Sequence, residues 1–514
     1  MSETHSHVGA NSAAAEPCAA DLERFAELQR DFTRSYEAIF ADRTLPRTVV
    51  ILPSLSLDAD VMAKITGVTH YEERMLCLLL LLRLPRTRVI YVTSTPVADA
   101  IIDYYLHLLP GIPAQHARRR LTLISCDDSS NASLTQKILD RPRVIEELRQ
   151  SIPDPASAHM TCFAVSELER RLALKLAIPI YGCDPSLLHW GSKSGSRKIF
   201  REAGIDLPEG FEDLADGEDV ARALAELKAL KPGLAKAVVK INEGFSGEGN
   251  AIFDLRAAPG GGALKAWARE QLPHMDFVAR GMTWELFHQK LKAMGGIVEA
   301  FLPGEIKRSP SVQFRVDPSG KLDAVSTHDQ VLGGTGDQIF LGARFPADDA
   351  YRLDIQSMGL KAAEALMKKG VLGRFGIDFI SVKEGDSWRH YAIEINLRKG
   401  GTTHPFLMLQ FLTDGHYQAA TGEFLTQAGS PRCYYATDNL ESERYRGLRA
   451  DDLIDLAVLN GLHFHAATGE GVAFHLIGAL SEFGKLGLVA IGKTPERAEA
   501  LYRRTMQVLD SAAG

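Results

Sequence analysis

An α/β region followed by α+β regions, arranged in several domains, is the fold class this sequence predicts. Three observations carry that reading. At 514 residues the chain is too long for a single hydrophobic core, and length alone suggests roughly three domains. Its first part alternates short apolar strand-like runs with helix-like stretches, the pattern of a parallel sheet covered by helices. Its middle groups many strand-like runs around few helices, as α+β folds do. With 45% hydrophobic and 24% charged residues, the composition is that of a soluble globular protein.

Residues 1–20 are rich in Ala, Ser and His without an apolar core, so they read as a disordered tail and not a signal peptide. A helical lead over 21–40 precedes a strand at 48–53. Next come a helix at 71–84, a strand at 88–93, a helix at 96–109 and a strand at 121–125. The strongest apolar run, 75–84, is interrupted by Arg83 and is far too short to span a membrane. It reads as a buried helix. No Gly-x-Gly-x-x-Gly follows any of these strands, which leaves a dinucleotide site unsupported. Ser54, Ser56 and Asp58 stand at the carboxyl end of the first strand, where α/β folds place pockets. A polar turn accounts for them better.

A second region opens near Gly182. Gly191-Ser-Lys-Ser-Gly-Ser-Arg precedes an amphipathic helix that stops at Gly204, with Pro208 close behind. A strand at 237–241 enters a glycine-rich loop, 242–250. Further strand-like segments follow at 296–302, 311–316, 322–327, 374–382 and 390–396, with a helix over 349–369. In the final region, from 447, residues 462–466 and 471–476 flank a Thr468-Gly-Glu-Gly turn and suggest a hairpin. Thr494 and Pro495 supply an N-cap and a first-turn proline for a helix to about residue 510. His463, His465 and His475 have no fourth ligand in view, so they read as core or solvent histidines instead of a metal centre.

A net charge of −7 and a pI near 6.2, without any basic run, argue against a nucleic-acid binder. Six cysteines (18, 77, 126, 162, 183 and 433) are scattered without a Cys-x-x-Cys pair. They read as reduced thiols of a cytoplasmic protein.

The chemistry concentrates in the second region. Lys240 closes an apolar strand and leads into a loop containing Ser246, Gly247, Glu248 and Gly249. Glycines let backbone N–H groups approach phosphate oxygens, and a lysine at the strand end neutralises their charge. The Gly-Lys-Ser/Thr ending of a Walker A loop is missing, and an ordinary flexible loop is the bland alternative. Lys193 is a second cation before a helix, by itself a surface lysine. Glu299, Ala300, Phe301 and Leu302 run into a linker with Glu305; such a linker can read a purine edge through its backbone and clasp a ribose through Glu305. Finally, Asp378, Glu394 and Asn396 end two neighbouring apolar strands. Residues two apart on a strand share a face, so Glu394 and Asn396 project together. Three hard oxygens there suit magnesium on nucleotide phosphates; a solvated strand face is the alternative for that motif alone.

This order of motifs resembles the ATP-grasp superfamily, which implies ATP held between two α+β lobes. Lys193 and Gly204 stand eleven apart, as in the family's Lys-to-Ala-Gly segment, so the resemblance makes Lys193 the first phosphate-binding lysine and Lys240 the second. It implies that Glu299 with the 300–302 backbone forms the adenine hinge, that Glu305 holds the ribose, and that Asp378, Glu394 and Asn396 bind Mg2+. Arg398, two after Asn396, matches an arginine that ATP-grasp carboxylases place beside the reacting groups. His404-Pro405 echoes the stretch that follows there, although 399–403 is one residue longer here. A closer likeness covers almost the whole chain. Leu52-Pro-Ser-Leu-Ser-Leu-Asp, His70-Tyr-Glu-Glu-Arg, the 191–197 motif, Lys307-Arg-Ser-Pro-Ser-Val-Gln and the block from Gly461-Leu-His-Phe-His to Gly487 resemble the pheganomycin-type peptide ligases.

That likeness implies a Rossmann-like pre-ATP-grasp domain over 21–185, a two-lobed ATP-grasp domain over 186–430 and a small α+β C-terminal domain over 447–514. The implied activity is ATP-dependent carboxylate–amine ligation through an acyl phosphate, releasing ADP and phosphate, in peptide natural-product biosynthesis. Its cofactors would be ATP and Mg2+. Its partners would be a carboxylate donor and an amine acceptor, an amino acid or peptide, with no nucleic acid or membrane and with a homodimer expected. Arg315, beside Gln313, is a candidate clamp for a substrate carboxylate; His328 or Asp329 is a candidate base for the amine. Glu470 or His465 would meet the acceptor from a C-terminal lid. Two alternatives stay open, an ATP-grasp phosphotransferase and a non-catalytic ATP-binding module. Amine-dependent ADP release with amide formation separates them from a ligase.

Overall fold

The computed structural model describes residues 17–42, 44–55, 62, 65–243, 249–279, 281–333 and 339–513. The expected tail falls almost wholly outside the described residues, as do Ser56 and Asp58; a helix already begins at Ala19 (Ala19–Ala41). Ser54 is buried and its hydroxyl accepts from the Thr135 N–H, a structural role.

The first region builds a four-stranded parallel sheet from β1 (Arg47–Leu52), β2 (Thr87–Thr93), β3 (Leu121–Ser125) and β4 (Ala158–Cys162), in the order β3-β2-β1-β4. All six residues of β1 are buried, as expected of a parallel strand covered on both faces. The segment expected as an α-helix over 71–84 is helical but wound as a 3₁₀ helix, Val68–Arg83. Its Met75, Leu76, Leu79 and Leu80 pack in one cluster with Val472, Phe474 and Leu488 from the chain's end. Burial on several sides, and not an amphipathic stripe, sets its winding. Long 3₁₀ runs are uncommon and mark places where packing overrides local preference.

A second, antiparallel sheet contains β5 (Gly210–Leu214), β6 (Lys236–Ile241), β7 (Asn250–Asp254), β8 (Asp276–Phe277) and β9 (Gly296–Ala300), in the order β5-β9-β6-β7-β8. Its core is closed by the helices Gly217–Leu230 and Trp284–Met294 through Leu224, Leu227, Phe287 and Leu291.

The third sheet holds β10 (Lys307–Arg308), β11 (Pro310–Val316), β12 (Leu322–Gly333), β13 (Ile339–Phe345), β14 (Gly373–Glu384) and β15 (Ser387–Asn396). After a small hairpin of β16 (His416–Gln418) and β17 (Glu423–Leu425), it continues through β18 (Cys433–Glu441), β19 (Gly471–His475) and β20 (Lys485–Gly492). The order is β10-β14-β11-β12-β13-β18-β20-β19, with β15 on β14. The terminal block therefore adds its strands to the sheet that carries β14 and β15.

The hairpin expected between 462–466 and 471–476 is a correction: those segments meet only in the single bridges His463↔Val472 and His465↔Glu470. The partner of β19 is β20, which is buried along its whole length. The Arg432 guanidinium donates to the carbonyls of Thr468 (2.7 Å) and Gly469 (2.8 Å) and fixes the turn itself. The six cysteines are free thiols. Among the described residues no helix is long and apolar enough to cross a membrane.

Candidate active site

The residues of the motif 192–197 tie one helix to its surroundings. Ser192 caps the helix Lys193–Glu202 by accepting from the Gly195 N–H. Ser194 donates its N–H (2.9 Å) and its hydroxyl (2.8 Å) to Asn242 Oδ1, at the head of the glycine loop. Ser196 Oγ accepts from the Ile395 N–H at 3.0 Å, which ties the helix to the strand between Glu394 and Asn396. Arg197 reaches Glu299 (3.4 Å), Glu212 (3.2 Å) and the Pro208 carbonyl (2.9 Å). The helix that begins with Lys193 is thus held to both sheets.

The strands beneath explain how three oxygen ligands come together. β14 alternates buried Phe375, Ile377 and Phe379 with cleft-facing Gly376, Asp378 and Ile380. Each fully buried side chain of that size contributes about 1.5–3 kcal/mol, enough to hold the register against the unfavourable placing of a carboxylate. Glu394 lies directly opposite Asp378 and Asn396 opposite Gly376, with a bulge just beyond, between Asp378 and Phe379. Bulges of this kind re-aim side chains near active sites.

Asn396 Nδ2 donates to Asp378 Oδ2 at 3.0 Å and Gln330 Nε2 donates to Oδ1 at 2.9 Å. Lys193 Nζ stands 3.6 Å from Glu394 Oε1. Burial, and then the Glu394 charge, push the Asp378 carboxyl up to about 7, against the pull of Arg398, Asn396 and Gln330. Like charges directly opposite on a sheet are destabilising, and a cation between them would remove that repulsion. The donor set, two carboxylates and an amide oxygen, fits Mg2+.

On the facing sheet Lys240, 8% exposed, forms an ion pair with Glu299, which is itself 3% exposed and shared with Arg197. The Glu299 carboxylate therefore positions the lysine. The N–H groups of Ala300 and Phe301 go to the carbonyls of Glu209 (2.7 Å) and Lys236 (3.2 Å). Glu305 is exposed beyond them. Ser246, Gly247 and Glu248 lie outside the described residues; Gly249 returns the chain to β6 through its carbonyl, 3.0 Å from the Ile241 N–H. Arg398 follows β15; burial lowers its pKa, while the nearby Glu394 and Asp378 charges oppose that and Arg74 adds to it. Lys399 anchors the loop to the end of β4 by donating to Thr161 Oγ1 (3.2 Å) and to the Cys162 carbonyl.

His328, Asp329 and Arg315, expected at the substrate, are committed elsewhere. His328 is fully buried, bonded to the Tyr434 hydroxyl at 2.7 Å, and desolvation drives its pKa down to about 3. It is a core histidine. Asp329 accepts from the Tyr351 hydroxyl (2.7 Å) and the Asp348 N–H (2.8 Å), which occupies both oxygens. Arg315 is paired with Asp323 at 2.6 Å; on β11 it stands opposite Arg374, whereas Ser311 stands opposite Asp378. Four residues of strand are about 13 Å, too far for a clamp at the metal ligands. Glu470 pairs with Arg497 (3.5 Å) and accepts from the Lys493 N–H (3.1 Å), and His465 is exposed on the same turn.

Three contributors escaped the sequence reading. Asn242 locks the Lys193 helix, Gln330 holds Asp378, and Arg74 faces Arg398. Signals existed: Asn242 opens the glycine loop, Gln330 shares the strand parity of His328, and Arg74 closes the 70–74 motif.

The chain matches the family model described as "IQCH-like, ATP-grasp" over residues 186–277 and 274–420, and "PGM1 C-terminal domain" over 452–505. It is 32% identical over 495 residues to an L-propargylglycine–L-glutamate ligase of Streptantibioticus cattleyicolor, covering 93% of this chain and 97% of that one. It is 22% identical to the IQ motif-containing protein H of Danio rerio over 71% of this chain and 38% of that protein. Among solved structures, the biotin carboxylase domain of the Hydrogenobacter thermophilus 2-oxoglutarate carboxylase superposes with a TM-score of 0.55 at 14% identity, over 90% of this chain and 89% of that one. Biotin carboxylase from Campylobacter jejuni gives 0.52 at 14% identity, over 89% and 90%. These two similarities concern the fold.

Proposed function

This chain belongs to the ATP-grasp superfamily, within the pheganomycin-type peptide ligases, and from that premise we propose that it joins two amino-acid or peptide substrates through an acyl phosphate. It is an ATP-dependent ligase that forms a C–N bond. The observation that carries the finer reading is the opposed pair Asp378 and Glu394, completed by Asn396 and flanked by Lys193 and Arg398. Two carboxylates held face to face in a cleft are at their most useful with a divalent cation between them.

A donor carboxylate oxygen attacks the γ-phosphorus of ATP, and the bond from that phosphorus to the bridging oxygen breaks, releasing ADP. The acceptor amine then attacks the acyl carbon, loses a proton, and the acyl C–O bond breaks to release phosphate. Magnesium on Asp378, Glu394 and Asn396 would neutralise charge on the phosphates. Lys193 and Arg398 face the transferring group, and Lys240 and the 246–249 loop take the remaining phosphate oxygens. The Phe301 carbonyl and the Leu302 N–H read the adenine edge, because the N–H groups of Ala300 and Phe301 are already committed. Glu305 takes the ribose. The protein itself supplies positioning and charge neutralisation, which account for most of the rate enhancement in phosphoryl transfer.

The relative of Streptantibioticus cattleyicolor is named for joining L-propargylglycine to L-glutamate; free α-amino acids are accordingly the substrate class to offer first. With a library of amino acids and dipeptides, mass spectrometry should find an amide product together with ADP and phosphate in equal amounts. Hydroxylamine in place of the amine should trap the donor as a hydroxamate. Stoichiometric AMP would overturn the acyl-phosphate route. The free, mostly buried thiols support a cytoplasmic site of action.

Lys240→Ala and Lys193→Ala should each shrink the rise in Tm that MgATP produces, since that rise follows the ratio of ligand concentration to Kd. Lys265, which pairs with Glu218 on an exposed surface at 3.4 Å, serves as the control, and Lys265→Ala should leave the rise intact. Equal behaviour of all three variants would remove the lysines from the nucleotide site.

A further inference from the structure

A second ligand set lies deep between β18, β19 and the helix Thr403–Thr413, which follows the Arg398 loop. His404 Nε2, His475 Nε2 and Asp438 Oδ1 form a triangle with edges of 3.0 Å between the nitrogens, 2.8 Å from His475 to Asp438 and 3.0 Å from His404 to Asp438. All three side chains are buried, at 4%, 2% and 5% exposure.

Three chain features build this triangle. β18 bulges between Thr437 and Leu440, which takes Asp438 out of the ladder and aims its carboxylate inward. Across from it, β20 carries Gly487, where a Cβ would lie 2.2 Å from His475 Nε2; only glycine leaves room for that ring. Arg74, from the 3₁₀ helix of the first region, donates to the other oxygen of Asp438 at 3.1 Å. It orients the carboxylate.

With Asp438 ionised, its carboxyl held, against burial, well below the usual carboxylate range by the two histidines, no placement of protons on the two Nε2 atoms satisfies the triangle. If both Nε2 atoms carry hydrogen, two N–H groups crowd each other while sharing one acceptor oxygen. If only one does, the bare nitrogen faces the Asp438 oxygen, lone pair to lone pair. A cation relieves all three contacts at once. Zinc–nitrogen and zinc–oxygen distances of about 2.0–2.2 Å place such an ion about 1 Å off the plane of the three atoms, with a fourth position left over. Imidazole nitrogens select a transition metal over magnesium.

We propose that His404, Asp438 and His475 bind a divalent transition-metal ion, zinc by the chemistry of the set, separate from the Asp378–Glu394–Asn396 cleft. The buried Nδ1 atoms of His404 and His475 have no partner among the described residues; with Nε2 on the metal, each would carry the ring's N–H, the position through which metal-bound histidines are oriented. The ion ties the last strands of the chain to the helix that follows the Arg398 loop.

Chelator-stripped full-length protein is titrated with Zn2+ and its retained metal measured by plasma mass spectrometry after gel filtration. Co2+ titration reads the ligand geometry by visible absorption. One zinc per chain and tetrahedral cobalt bands are expected in the wild type and in Glu394→Ala, and loss of both in His475→Ala and Asp438→Asn. A wild type that retains no zinc and shows no tetrahedral cobalt band overturns the proposal without recourse to any variant. So does a zinc that leaves with Glu394→Ala and stays in His475→Ala.

Discussion

Replacing Glu394 with alanine should lower the rate of ADP release by at least about two orders of magnitude, the usual consequence of losing one strong electrostatic contact to a transition state. The strand itself should not suffer. Ile395 and Ala392, buried beside it, keep β15 on β14, and the Ser196 bond to the Ile395 N–H is a backbone contact that the substitution leaves in place. Two electrostatic consequences oppose each other. Lys193 loses its partner at 3.6 Å, while Asp378 loses the like charge that, after burial, pushes its carboxyl up to about 7.

The sign of the second effect follows from that direction. A folded carboxyl pKa above the unfolded value of about 3.9 means that the folded state binds the extra proton, so the contribution of Asp378 to stability without magnesium declines as pH rises from about 4 through 7. Glu394→Ala should weaken that decline. At pH 8 the metal-free variant should melt within a few degrees of the wild type, and its Tm should respond less to MgATP. Near-native turnover at saturating magnesium would remove Glu394 from the metal site; a large drop in metal-free Tm would make it a structural residue instead.

Much of the site was legible because strands and loops leave local signatures. Period-2 alternation around Asp378 and the Glu-x-Asn spacing do not depend on distant packing, and neither does the helix stop at Gly204, whose φ is 64°. The winding of 68–83 was not legible, since it packs on apolar residues hundreds of positions away; the partner of β19 was missed because it lies in β20, past the intervening residues 476–484, and not across the nearer turn. β18 escaped for a related reason: Asp438 and Asn439 interrupt its alternation at the bulge, and a bulge is visible only with the facing strand in place. His328 and Arg315 show the opposite failure. Their residue types suit catalysis, but Tyr434 and Asp323, which occupy them, are known only from the fold. Glu299 shows a further limit: a carboxylate beside a linker gives no sign in sequence that two buried cations will claim it.

Gly195→Ala should be the most damaging one-carbon change in the chain's cleft. A Cβ there would lie 2.0 Å from the His189 carbonyl oxygen and 2.8 Å from the Trp190 Cα, and both obstacles are backbone, which cannot swing aside as a side-chain tip can. The turn 189–192 would have to move away from the helix start, and with it Ser192, whose hydroxyl caps the Gly195 N–H at 3.0 Å. Overpacking of this kind costs about 1–3 kcal/mol, and the lost cap adds about 1 kcal/mol. The helix would still form, because Ile199 and Phe200 remain buried in the core beneath it. Lys193, the first residue of that helix, would be displaced from Glu394. A misplacement of about 1 Å at a reacting centre costs on the order of 10²-fold in rate. The expected result is a folded protein with a lowered Tm, normal far-UV circular dichroism and a kcat reduced at least as far as in Lys193→Ala. Gly204→Ala makes the comparison, since a Cβ at 204 meets nothing within 4 Å and only its φ of 64° is strained; it should lower Tm and leave kcat close to the wild type. Gly195→Ala with full activity would show that the turn can yield without moving Lys193, and the motif's glycine would then have no part in placing the phosphate-binding lysine.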